Sequence, residues 1–249
     1  MSKIFAAVAG LAALVAAGTA GAADLPRKAP PPVVAPVPYI WNGIYFGVQG
    51  GGMWNDTDGV NYNSVAGTFW HTDSITSGLI GAHVGANYQF SGMFVLGVEA
   101  GWNGAVNSNY STLAGAAVGS SAPCSPGVAF SCQSRINDIG YVGGKLGLTF
   151  DRFMVYGTGG YANAGIETAY LTNATGVTGF AAQARHSGWY AGAGLDYLLY
   201  NNFIIGVDYK HYDFDSANHD VATGATANRS VSATADAVTG RLSVKFNPW

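Results

Sequence analysis

Ile80-Gly81-Ala82-His83-Val84-Gly85-Ala86-Asn87-Tyr88-Gln89-Phe90 alternates without a break. In an extended chain successive side chains point to opposite faces, so Ile80, Ala82, Val84, Ala86, Tyr88 and Phe90 share one side. Gly81, His83, Gly85, Asn87 and Gln89 share the other. Ser91-Gly92 then reads as a tight turn. Beyond it, Phe94, Leu96, Val98, Ala100 and Trp102 resume the apolar face against Gly97, Glu99, Gly101 and Asn103. The two runs predict an antiparallel hairpin.

The same period recurs along the chain. Trp189, Ala191, Ala193, Leu195, Tyr197 and Leu199 oppose Tyr190, Gly192, Gly194 and Asp196, and Leu242, Val244 and Phe246 oppose Arg241, Ser243 and Lys245. Weaker strand patterns cover Trp41 to Trp54, Asp138 to Phe150, Arg152 to Ile166 and Phe203 to Phe214, which brings the total to about eight. In the Arg152 to Ile166 strand, Gly157, Gly159 and Gly160 leave the facing ambiguous. Gly50-Gly51-Gly52 reads as a bend or bulge.

The connections sort the architecture. Ser91-Gly92, Asp151-Arg152 and Asn201-Asn202 are short turns, whereas Asn55 to Asp73, Gly104 to Ser134, Glu167 to Arg185 and Asp215 to Ala235 read as long polar loops. Short and long links alternate strictly, as they do in outer-membrane barrels with short periplasmic turns and longer outer loops. The chain is 49% hydrophobic but only 10% charged, well below the roughly 25% of soluble domains. No apolar run after residue 22 reaches the ~18 residues of a membrane helix. The expectation is an all-β, closed, antiparallel up-and-down transmembrane β-barrel over 39–249. Closure is required because lipid offers no partner to a bare sheet edge. Trp41, Trp54, Tyr88, Phe90, Trp102, Phe150, Trp189 and Tyr200 are the expected interfacial girdles, the alternative being a soluble core packed with aromatics.

Two segments precede the barrel. Lys3, the apolar run Ile4 to Ala17 and Ala20-Gly21-Ala22 predict a secretory signal peptide over 1–22, the alternative being an uncleaved anchor. Repeated prolines over 23–38 predict an extended periplasmic tail. Its start, Ala23-Asp24, is a candidate peptidoglycan contact through the free amine, against an untethered tail. In an oxidising compartment Cys124 and Cys132 are expected to form a disulfide, the alternative being two free thiols.

From Trp41 onward the chain resembles the small outer-membrane barrel proteins of alphaproteobacteria, a porin family related to OmpA-type barrels. The resemblance rests on Trp41-Asn42-Gly43-Ile44-Tyr45-Phe46-Gly47-Val48, Gly85-Ala86-Asn87-Tyr88-Gln89-Phe90 and Gly97-Val98-Glu99. It continues in Gly194-Leu195-Asp196-Tyr197 and in Asp208-Tyr209 with Tyr212-Asp213-Phe214, and the start Ala23-Asp24-Leu25-Pro26 also fits. It implies an abundant, surface-exposed, monomeric or weakly oligomeric barrel and does not imply a catalytic site. Members usually end on an aromatic, here Phe246, but this chain continues as Asn247-Pro248-Trp249, and the cysteine pair looks local to it. The implied partners are outer-membrane lipid and lipopolysaccharide, and the barrel assembly machinery through the last strand.

Candidate chemistry is confined to a few polar groups. Glu99, Lys145, Asp196, Asp208, Lys210, Arg241 and Lys245 are placed on inward faces. They line either a solute-conducting pore or an interior closed by paired charges, and the closed reading is preferred because unpaired buried charge is costly. His211, Asp213 and Asp215 share one face near the outer end of a strand, as a hydrolase site or, preferably, a polar rim. His186 and Ser187 are adjacent and point apart, which weakens a Ser–His pair. No phosphate loop or metal spacing is present, no cofactor is expected, and a net charge of −3 argues against nucleic acid.

Overall fold

The computed structural model describes residues 41–61, 68–90, 92–106, 111–112, 130–172, 178–200, 202–219 and 229–246. The signal segment, the proline-rich tail with Ala23 and Asp24, and Cys124 lie outside these residues. Cys132 lies within a strand, opposite Tyr170.

Eight long antiparallel strands form the fold: β1 Gly43–Asn61, β2 Thr68–Phe90, β3 Phe94–Val106, β4 Phe130–Phe150, β5 Phe153–Thr172, β6 Thr178–Leu198, β7 Phe203–His219 and β8 Arg229–Phe246. Each pairs with its neighbour in sequence. The ring closes where β1 meets β8 in an unbroken register from Ile44–Phe246 to Asn61–Arg229. Ser111 and Thr112 add two rungs to β4 opposite Ser134 and Gln133. All eight strands thus have partners on both sides, as hydrocarbon demands.

Alternation sorts the faces as the sequence predicts. On β3, Phe94, Leu96, Val98 and Trp102 are exposed, whereas Val95, Gly97, Glu99 and Asn103 are buried. The glycine-blurred strand β5 resolves the same way, with Met154 and Tyr156 inward and Phe153, Val155 and Tyr161 outward. Two rings of exposed aromatics bound the outward face. Phe90, Phe94, Phe150, Phe153, Phe203 and Phe246 lie at the tight-turn end. Trp54, Trp102, Tyr161 and Trp189 mark the outer side.

The tight turns follow local chemistry. Gly92 has φ +74°, open to a residue without Cβ, and Asp151 has φ +54°, a region that aspartate tolerates. Phe90 pairs with Phe94, so Met93 as well as Gly92 falls outside the ladder at the first turn.

Three expectations are corrected. First, the strands run beyond the lipid-sized alternation. β1 continues through Asn55 to Asn61, β5 to Thr172 and β7 to His219, while β4 begins at Phe130, β6 at Thr178 and β8 at Arg229. Much of the four expected loops is therefore paired strand; above the membrane, polar residues suit both faces of a ladder. Second, Gly50-Gly51-Gly52 is no bulge, since its pairing to both neighbours is regular. The irregularity lies between Asn55 and Thr57. Third, Trp41 is no girdle residue. It precedes β1 and is 0% exposed inside the tight-turn mouth, clustered with Val95, Met154, Tyr156, Leu198 and Ile204. Its N–H donates to Gln89 Oε1 at 2.9 Å.

Candidate functional site

The barrel interior is built from the small, inward members of each alternation. Glycines at inward positions leave room for long side chains. A Cβ on Gly85 would meet the Tyr45 hydroxyl at 2.4 Å, and one on Gly194 would meet that of Tyr156 at 2.4 Å. The space released by one strand is filled by a tyrosine from another.

At mid-height the expected lumen charges converge. Arg241 of β8 reaches Glu99 Oε2 of β3 at 2.6 Å and Asp208 of β7 at 3.0 Å. Lys145 of β4 lies 3.2 Å from Glu99 and 3.4 Å from Asp196 of β6. Lys210 pairs with Asp208 on the same strand. Lys245 is buried on the same inward face of β8, four residues nearer the tight-turn end. All of these side chains are removed from water, where an ion without partners would be strongly disfavoured.

Neutral partners that sequence reading missed complete the shell. The Tyr45 and Tyr141 hydroxyls donate to Glu99 at 2.7 and 3.1 Å, and the Thr239 hydroxyl donates to Asp208. An Arg241 N–H donates to the Tyr156 hydroxyl at 2.8 Å. The Lys145 ammonium sits 3.9 Å from the Tyr156 ring centre, and that of Lys210 lies 4.8 Å from Tyr141. Tyrosine on an inward face has both an apolar ring and a hydroxyl; that combination was the available sequence signal. Toward the outer end, Met53, Tyr190, Tyr212, Phe214 and Ala235 continue the filling as an apolar cluster.

A profile describing the outer membrane protein beta-barrel domain matches residues 5–246. The chain belongs to the outer-membrane protein β-barrel family. Among relatives of this outer-membrane barrel is the 31 kDa outer-membrane immunogenic protein of Brucella melitensis, 26% identical, with 85% of this chain and 87% of the relative covered. The 22 kDa outer membrane protein of Rhizobium leguminosarum is 28% identical over 34% of this chain and 37% of its own length. Among solved structures, the outer membrane protease OmpT from Escherichia coli aligns with 82% of this chain and 97% of its own, at 10% identity and TM-score 0.49.

The outer rim of this family member carries a second polar group. His211 and Asp213 lie on the outward face, and His211 Nδ1 is 2.8 Å from Asp236 Oδ1 of β8. Its partner is therefore across the sheet, not Asp213 or Asp215 along the strand. Tyr209 donates to the same carboxylate oxygen at 2.6 Å, and the Trp189 ring lies 5.8 Å from that of His211. His186 is buried inward while Ser187 is exposed and bonds to the Tyr161 hydroxyl, so the two do point apart.

Proposed function

We propose that this protein is a structural and surface element of the outer membrane whose interior is closed by paired charge. The carrying observation is the layer in which Glu99, Lys145, Arg241 and Asp208 reach across the ring from four strands at 2.6–3.2 Å. Opening a path for solute there means separating buried ion pairs, each step costing several kcal/mol. The apolar cluster above and Trp41 below support the same reading.

In this reading residues 1–22 direct export and the proline-rich tail extends into the periplasm toward peptidoglycan. The aromatic rings meet lipid and lipopolysaccharide, and β8 with Phe246 engages the assembly machinery. The His211–Asp236 pair serves as a polar rim; catalysis has no part in the reading.

Planar-bilayer recording on the purified full-length protein tests it. The expected record shows no steady channel at any applied voltage. Reproducible unitary conductance that is abolished by blocking the lumen between Glu99 and Arg241 would establish a narrow pore instead.

A further inference from the structure

Beyond the outer aromatic ring β6 and β7 part company. Their ladder stops at Gly188–Phe214. Above that rung β6 continues along β5 as far as Thr178, opposite Leu171. β7 continues along β8 as far as His219, opposite Arg229, across a register shift between Phe214 and Ala217. The wall thus has a seam at its outer end that no ladder among the described residues closes.

Two imidazoles span the seam. His186 of β6 and His219 of β7 are both buried on the inner face, with their Nε2 atoms 2.9 Å apart. His186 Nδ1 lies 3.0 Å from the carbonyl oxygen of Asp215, and His219 Nδ1 lies 3.3 Å from the Thr168 hydroxyl of β5. A carbonyl only accepts, so His186 carries its proton on Nδ1 and accepts at Nε2. His219 must then donate from Nε2 and, when neutral, accept at Nδ1 from the Thr168 hydroxyl. With both rings neutral, this assignment satisfies each of these three bonds.

We propose that His186 and His219 form a proton-sensitive clasp that holds the outer ends of β6 and β7 together at neutral pH and releases them on acidification. A first proton still leaves one N–H between the facing nitrogens, because the Thr168 hydroxyl can accept from His219 Nδ1; a second proton places N–H on both and turns the bond into a repulsion. Arg185 and Glu167, adjacent to His186 and Thr168, are bound to Asp138 and Arg135 on the outward side. The Asp215 side chain is exposed while its carbonyl faces the ring, and Arg229 stands opposite His219 in register. His186 lies three residues beyond Trp189, outside the lipid band. Burial lowers its pKa from 6.5, outweighing the upward effect of the Asp215 carbonyl. At His186 the closed seam therefore binds a proton less readily than the open one, and falling pH below about 6.5 favours opening. The clasp operates whether or not the lumen conducts.

Hydrogen exchange by mass spectrometry on the full-length protein in lipid nanodiscs tests the proposal. After correction for intrinsic exchange, protection over 183–188 and 215–219 is expected to fall about tenfold from about pH 7.5 to about pH 5. Protection over 190–198 should not change. In the H186Q/H219Q variant the pH dependence of the seam disappears. Unchanged wild-type protection, or an equal pH response in the variant, overturns the clasp. If the variant does not fold, nitrogen-15 NMR of the wild type decides. Opposite tautomers, Nδ1–H on His186 and Nε2–H on His219, are expected near neutral pH; like tautomers overturn it.

Discussion

Arg241 and Glu99 stand 142 residues apart in sequence and meet across the lumen at 2.6 Å. The pair ties β8 to β3, strands that share no ladder. It also anchors the rest of the network, because Arg241 bonds to Asp208 and Glu99 to Lys145.

Replacing one member leaves the other's charge short of a partner. Arg241→Met is expected to destabilise the barrel by about 3 kcal/mol, since breaking a buried pair is costlier than never having it. Glu99→Gln alone should also destabilise. The combined variant should lose clearly less than the sum of the two. Urea unfolding in lipid vesicles measures all three, and additive losses would contradict the pairing.

Gly51 and Gly52 are adjacent and chemically identical, yet their surroundings differ. A Cβ on Gly51 would lie 1.9 Å from the backbone carbonyl oxygen of Val238, whereas one on Gly52 meets nothing within 4 Å. Backbone cannot step aside as a side-chain tip can. Gly51→Ala should therefore cost about 1–3 kcal/mol as an overpacked contact, and Gly52→Ala should be close to neutral. Unfolding midpoints of the two variants in the same vesicles check the contrast.

Phe46 and Phe246 stack across the closing seam, ring centres 5.5 Å apart at 14°. Both face lipid, so exchange for another apolar side chain changes burial little. Phe246→Leu should remove only the stacking, about 1 kcal/mol. The temperature at which the folded band is lost on a heat-modifiability gel should drop slightly, with the folded band itself retained. Complete loss of that band would mean that Phe246 acts chiefly during assembly.

The barrel was legible because Ile80–Phe90 and Phe94–Trp102 obey a period of two that lipid on one side enforces. The lumen charges were legible from the same period: Glu99, Lys145, Asp196, Asp208, Lys210 and Arg241 all lie inward. Above the lipid that selection ends. Asn55 to Asp58 and Asn218 to His219 are polar and read as loop, although they are paired strand. Partners on distant strands were invisible too. Asp236 lies 25 residues from His211, and His219 lies 33 from His186; no spacing rule joins either pair.

Trp41 sits just ahead of the first ladder rung, where alternation gives no guide to facing. Toward the other end of β1, Trp54 is 42% exposed, whereas Trp41 is 0% exposed. The two tryptophans therefore make opposite predictions on truncation. Trp41→Ala removes a side chain packed against Val95, Met154, Leu198 and Ile204, and should cost about 3 kcal/mol. Trp54→Ala exchanges indole for lipid contact at the interface and should cost about 1 kcal/mol or less. Trp41→Phe should recover much of the loss, because the mouth needs bulk more than an indole N–H; the Trp41 Nε1 has no hydrogen-bond partner among the described residues. Unfolding in vesicles of fixed composition ranks the variants. Equal losses for Trp41→Ala and Trp54→Ala would return Trp41 to the lipid face and leave the tight-turn mouth without its stopper.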